Sequence, residues 1–326
     1  MVVAALVLVS AGCGGGDEGG GGGESDVRVA VVTDIGGLND RGFNALANQG
    51  LEQAEDELGV EGRVFISRTA SDYVPNLTRA ARDGYDLVIG NGFLMGDAVA
   101  TVASQFPDTR FAIIDFPWAA LEGAPQNARG LVFAEQEGGY LVGVAAATVS
   151  DSGAVSFVGG QDVPAVVAFL AGYRTGAKAT DPQVRVTANY SQDFVDQAKC
   201  KELALTQIDG GSDVVFAAAG GCGLGALQAA KEQSAWGIGV DNDQSFLGGY
   251  ILTSATKKVN VAVFDTIDKV VDGTFEGGGD TLYDVANDGV GFGKVSPEAP
   301  DRDSLIDELD AVAKQIADGD IEIPRK

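Results

Sequence analysis

No histidine occurs anywhere in the 326 residues. That removes Ser-His-Asp and Cys-His nucleophilic sites and every His-ligated metal centre, so any catalysis would rest on carboxylates, lysine, tyrosine or serine. Positive charge is scarce as well: 22 Lys and Arg stand against 47 Asp and Glu, a formal net charge of −25 with a pI near 4.1. No Lys/Arg cluster offers the basic face that a phosphate backbone requires, which argues against nucleic acid as a partner. No Gly-x-x-x-x-Gly-Lys-Ser/Thr loop is present, so ATP hydrolysis would belong to another subunit. Long apolar runs are missing too. The stretch from Val2 to Val9 is too short to span a bilayer as a helix.

That stretch is followed by Ser10-Ala11-Gly12 and then Cys13, a sequence that resembles the end of a bacterial lipoprotein signal. Ser10 stands where Leu is usual, and no basic residues precede the apolar run; the second departure leads us to expect a natural start codon upstream of Met1. Lipidation at Cys13 would hold the protein on the extracytoplasmic face of the cell membrane. Residues 14–26, rich in glycine, are expected to form a flexible tether. The other cysteines, Cys200 and Cys222, are an even pair in an exported chain, where a disulfide is permitted but not required.

Beyond the tether, apolar runs alternate with amphipathic stretches. Strands are expected at 27–33, 63–67, 87–90 and 111–115, with helices at 42–58, 74–83 and 95–105, the order of a parallel α/β sheet. The plan then repeats. "AVSFVGGQDVPAVVAFLAGYRTGAK" (154–178) has the strand, Gly-Gly turn and helix of "RVAVVTDIGGLNDRGFNALANQGL" (28–51). Asp86 and Asp115 bracket one strand–turn–helix–strand unit over 29 positions, and Asp213 and Asp241 bracket its counterpart over 28. Two α/β lobes leave a cleft between the carboxyl ends of their strands, the default ligand site of open α/β sheets.

The stretches "VTDIGGLNDRGFN", "FVGGQDVPAVVAFLAGYRTGAK", "DVVFAAAGGCGLG", "IGVDNDQ" and "ILTSATKKVNVAVFDTI" resemble the basic membrane protein family. These are bacterial substrate-binding lipoproteins that include the purine-nucleoside receptors of ABC importers. The resemblance implies a type I periplasmic-binding fold, two Rossmann-like lobes with parallel sheets joined by a three-strand hinge. Lobe 1 would comprise 27–132 plus 249–281 and lobe 2 would comprise 133–248 plus 282–326. The hinge would lie near 129–134, 246–251 and 282–286. Carried over residue by residue, it places Asp34 and Asp115 against the base, Phe43 and Phe216 on its two faces, and Asp241 and Lys257 on the ribose hydroxyls. Gly221 and Gly223 would let backbone N–H groups approach, with Asn44 beside the stacking position. It further implies a monomer that hands its ligand to a permease and ATPase, with no cofactor, no metal and no catalysis. Cys200 and Cys222 replace small residues of relatives within lobe 2, which makes a bridge between them plausible.

The chemistry of these residues agrees. A nucleoside offers two flat faces to aromatic rings, and carboxylates accept bonds from amino, ring N–H and hydroxyl groups. Each residue also has an ordinary reading: Phe216 in "VVFAA" as a core strand aromatic, Phe43 as core, Lys257 as an exposed lysine. Two rival functions fit the sequence less well. "DIGGLND" only faintly resembles the calcium loop of nucleoside hydrolases: Val32 and Asn39 stand where aspartates are needed. A transcription regulator on the same two lobes would carry an N-terminal DNA-binding module where this chain has a signal and a glycine tether.

Overall fold

A computed structural model describes Val2 and residues 25–326. The expected lipidation site Cys13 and nearly all of the tether lie outside the described residues. The first half runs β1 (Arg28–Val32), α1 (Phe43–Leu58), β2 (Glu61–Phe65), α2 (Tyr73–Arg82), β3 (Leu87–Asn91), α3 (Gly96–Gln105), β4 (Arg110–Ile114) and β5 (Ala128–Phe133). It continues with α4 (Glu135–Val149), β6 (Ala154–Gly159), α5 (Pro164–Thr180), β7 (Arg185–Tyr190), α6 (Gln197–Asp209), β8 (Val214–Ala218), α7 (Gly220–Glu232), β9 (Trp236–Asp241) and β10 (Ile251–Lys257). It ends with α8 (Val259–Val271), β11 (Gly279–Tyr283), β12 (Val290–Phe292) and α9 (Arg302–Ala317).

Two six-stranded sheets result, ordered β11-β5-β4-β3-β1-β2 and β12-β10-β9-β8-β6-β7. The first is parallel throughout, and in the second only β12 runs antiparallel to its neighbour. Strands such as Leu87–Asn91 and Ala154–Gly159 are buried along their whole length, as parallel strands covered on both faces must be. The helices supply that cover with single apolar stripes. In α2, Tyr73, Leu77, Ala80 and Ala81 are buried, at i, i+4, i+7 and i+8 of one face. Each sheet thus has a core on either side. Both sheets reverse their strand order at the same place, between β1 and β3 in one and between β6 and β8 in the other, and ligands of open α/β sheets bind outside such a switch point.

The chain passes between the halves three times: from β5 into α4, from β10 into α8, and from β11 to β12. The second passage differs from the sequence expectation. Residues 251–257 pair in parallel with β9, from Ile251 opposite Gly237 to Thr256 opposite Asp241, so they belong to the second sheet, and the crossing falls at Lys258. Helix α8 then packs on α1 of the first half. The local sequence carries no boundary signal at 249, because β10 is buried on both faces and reads as a core strand of either sheet.

Candidate functional site

The turn after β1 is held by a buried network centred on Asn44. Its amide nitrogen donates to Asp34 Oδ1 at 2.6 Å and to Asp40 Oδ2 at 3.0 Å, while its Oδ1 accepts from Asn91 Nδ2 at 2.9 Å. Asp40 also accepts from the backbone N–H groups of Gly42, Asn44 and Ala45, meeting the orphan donors at the start of α1 as a capping residue does. With Gly36 N–H also donating to Asp34 Oδ1, that oxygen is taken up by protein donors, and the residue lines the cleft. Burial pushes its acid up to about 6, partly offset by the bonds from Asn44 and Gly36. Gly92, just past β3, has φ of 119°, and a Cβ there would press on the Phe43 ring; only glycine suits both demands.

Asp115 and Asp241 follow β4 and close β9 at equivalent places, and both adopt left-handed backbone, φ 67° and 63°. Such conformations are uncommon outside glycine and gather where side chains must be aimed at a ligand. Between them stands Lys257, the last residue of β10, 1% exposed. Its Nζ lies 2.7 Å from Asp115 Oδ2 and 3.3 Å from Glu135 Oε1, and over the rings of Phe43 at 5.1 Å and Phe133 at 4.8 Å. Asp115 Oδ1 is as near, at 2.6 Å, but lacks hydrogen-bond geometry and has no other partner among the described residues. Burial works against the lysine's charge, but Asp115, Glu135 and Asp241 outweigh it and hold the ammonium more firmly protonated than usual. Burial likewise raises Asp241, up to about 7, with Lys257 opposing and the neighbouring carboxylates adding to the rise. Glu135 is raised by burial too, despite Lys257, and Arg325 from the chain's end reaches its Oε2 at 3.0 Å.

These groups line one cleft between the halves, with about 660 Å³ of empty space counted out to its mouth. Its polar lining is four aspartates (34, 40, 115 and 241), Asn44 and Lys257; its flat apolar walls include Phe43 and Phe93 from the first half and Phe169 and Phe194 from the second. Of the expected residues, Asp34, Phe43, Asn44, Asp115, Gly221, Asp241 and Lys257 meet there. Phe216 and Gly223 do not. Phe216 is the middle residue of β8 and wholly buried, its ring 5.3 Å from both Phe157 and Tyr173. Phe169 stands 6.0 Å away from it edge-on and faces the cleft in its place. The Gly223 N–H is directed back to the carbonyl of Ala219, as a helical N–H must be, and cannot approach a ligand. Sequence reasoning missed Asp40, Phe93, Phe169 and Phe194. The recoverable signal was positional: Phe93 and Phe194 lie just beyond strand ends, where Phe216 does not.

Cys200 of α6 and Cys222 of α7 are joined, with Cα atoms 5.6 Å apart, within the span a disulfide requires. No group of three or more His, Cys, Asp or Glu among the described residues is arranged to hold a metal ion, and no described helix is long and apolar enough to cross a membrane.

The profile of a family described as "ABC transporter substrate-binding protein PnrA-like" matches residues 27–326. An ABC transporter nucleoside-binding protein of Lactococcus lactis is 36% identical, over 99% of this chain and 96% of its own. An uncharacterized lipoprotein of Pyrococcus abyssi is 33% identical, over 88% and 74%. Among solved structures, an ABC transporter solute-binding protein of Aeropyrum pernix superposes with a TM-score of 0.83 at 27% identity, covering 92% of this chain and 94% of the other.

Proposed function

The chain belongs to the Bmp family of PnrA-like ABC transporter substrate-binding proteins, and from that membership we propose that its ligand is a purine nucleoside, captured in the cleft and handed to a membrane permease. The observation that carries this reading is the pairing of flat aromatic walls with a polar lining made almost wholly of acceptors. A purine slid between Phe43 and the aromatics of the second half buries both faces at little ordering cost. Asp34, a lining carboxylate with only Oδ1 held by protein donors, suits the amino or ring N–H groups of the base. The vicinal ribose hydroxyls suit Asp241 and Asp115, with Lys257 balancing the charge. Gly221, at the start of α7, allows close backbone approach.

A phosphate would enter a cleft of four aspartates whose one lysine is already paired, which disfavours nucleotides. The protein would act as a monomer, tethered through a lipidated Cys13, and its role is delivery, not catalysis. Mass spectrometry of ligand released from purified, denatured protein should yield a purine nucleoside. Calorimetry on stripped protein should then show micromolar or tighter binding of adenosine, guanosine or inosine, with the free base and the monophosphate weaker. A bare sugar or a nucleotide binding more tightly than all three would sink the proposal.

A further inference from the structure

The cleft wall contributed by Phe194 has an unusual support. Phe194 lies between β7 and α6, in a six-residue loop that no strand pairing holds. Ser191 and Gln192 donate to the carbonyls of Gly159 and Gly160 at the end of β6. Asp193 then accepts from the N–H groups of Val195 and Asp196, and from Lys199 at 2.7 Å. The ring lies against Gly160, where a Cβ would collide with it, and its own residue's backbone passes close to Gly220 and Gly221. The last tie is the telling one: the N–H of Cys222 donates to the Phe194 carbonyl at 3.0 Å. The same Cys222 is bridged to Cys200 in the first turns of α6. The bridge therefore closes a ring around the loop: sheet end, Phe194, start of α6, disulfide, start of α7, and back to Phe194.

We propose that the Cys200–Cys222 bridge is a positioning device for the binding wall, fixing the starts of α6 and α7 against each other so that Phe194 stands as one face of the cleft. Without it, the loop keeps its bonds to Gly159 and Gly160, its own turn bonds, the Lys199 contact and the Cys222 N–H bond to Phe194, but no covalent tie holds the start of α7 against the start of α6. The start of α7 carries Gly221 of the same cleft, so two lining elements depend on one cross-link. The inference rests on the nucleoside reading for its ligand, though not for its structural half.

The test uses the ligand-stripped protein and its Cys200→Ala/Cys222→Ala variant. Amide hydrogen exchange should quicken at least about tenfold across 191–196 and 220–222 in the variant, while 34–44 in the first half stays unchanged. Inosine binding should weaken by about fivefold or more. Phe194→Ala should cost about five- to 150-fold in the bridged protein, the range of base–aromatic stacking, and distinctly less once the bridge is gone. Unchanged exchange at 191–196, or losses from the bridge and from Phe194 that simply multiply, would overturn the proposal. Should the variant not fold, folded wild-type protein is treated with a dithiol. The dithiol passes two electrons and two protons to the bridge and becomes a cyclic disulfide, leaving two thiols, and the same exchange comparison decides. If the wild type binds no nucleoside at all, the functional reading falls, while the exchange result still judges the staple.

Discussion

Replacing Asp241 by asparagine should make the ligand-free protein more stable at neutral pH while weakening its hold on nucleoside. Burial lifts the Asp241 acid from an ordinary 3.8 up to about 7, and no hydrogen bond among the described residues offsets it. A carboxyl group raised on folding contributes stability that is fully present below its unfolded value and is lost as pH climbs through the folded value. For Asp241 the window runs from about pH 4 to about pH 7. Three units at about 1.4 kcal/mol each give a loss on the order of 4 kcal/mol by pH 8. Asp34, raised to about 6, adds a parallel loss over a shorter window. Asp193 is held down to about 2, chiefly by Lys199, so its contribution varies only below about pH 4 and leaves the window clear. The ammonium of Lys257 is held charged well above it. Urea unfolding of stripped wild type and Asp241→Asn at pH 5, 6, 7 and 8, at one ionic strength, reads the difference directly. The variant's advantage should be about 1–2 kcal/mol already at pH 5 and grow to about 4 kcal/mol at pH 8. An identical pH slope in the two proteins, or a variant less stable at pH 8, would refute the reasoning. The stability sacrificed at this position is then what a ligand hydroxyl recovers, a trade common where function needs a strained or charged site.

Two further outcomes follow from the cleft. Phe43→Ala should weaken nucleoside binding by about 1–3 kcal/mol with little change in apo stability, whereas Phe216→Ala should lower apo stability by about 3–5 kcal/mol. Paired calorimetry and thermal unfolding separate them, and the converse pattern would restore Phe216 to the site. Because Phe43 and Phe194 belong to different halves, a ligand touching both favours the closed arrangement, so small-angle scattering on stripped protein should show compaction on saturation with nucleoside. An unchanged radius of gyration counts against a closing cycle about the passages at 133–135, 257–259 and 283–290.

The strand–turn–helix units were legible because parallel strands are continuous apolar runs and their carboxyl ends carry glycine and aspartate. Asp34, Asp115 and Asp241 could therefore be located from sequence, since strand ends are where such sheets present side chains. Phe216 could not be resolved in the same way. A strand buried on both faces shows no alternation, so nothing local distinguishes an aromatic in mid-strand from one at the rim. Phe169 lies inside α5, and its direction toward the cleft is set by the packing of that helix on α4 and β6, a tertiary fact. Asp40 escapes a reading by side-chain type because three of its four donors are backbone N–H groups. The lobe assignment of β10 failed for a related reason: pairing partners on either side of the nine-residue connection 242–250 leave no trace in the strand itself.

The backbone of Asp115 and Asp241 narrows what this cleft can become. At both positions the chain sits where a Cβ is tolerated only with strain, and where asparagine and glycine are the residues least penalised besides aspartate. Variation that would broaden the ligand repertoire through larger, branched or basic side chains at these two places must first overcome a local conformational barrier, before any question of fit arises. New specificities in this lineage are therefore expected to arise on the aromatic walls and at Asp34, which has no such backbone constraint, while the two strand-end positions drift only among Asp, Asn and Gly.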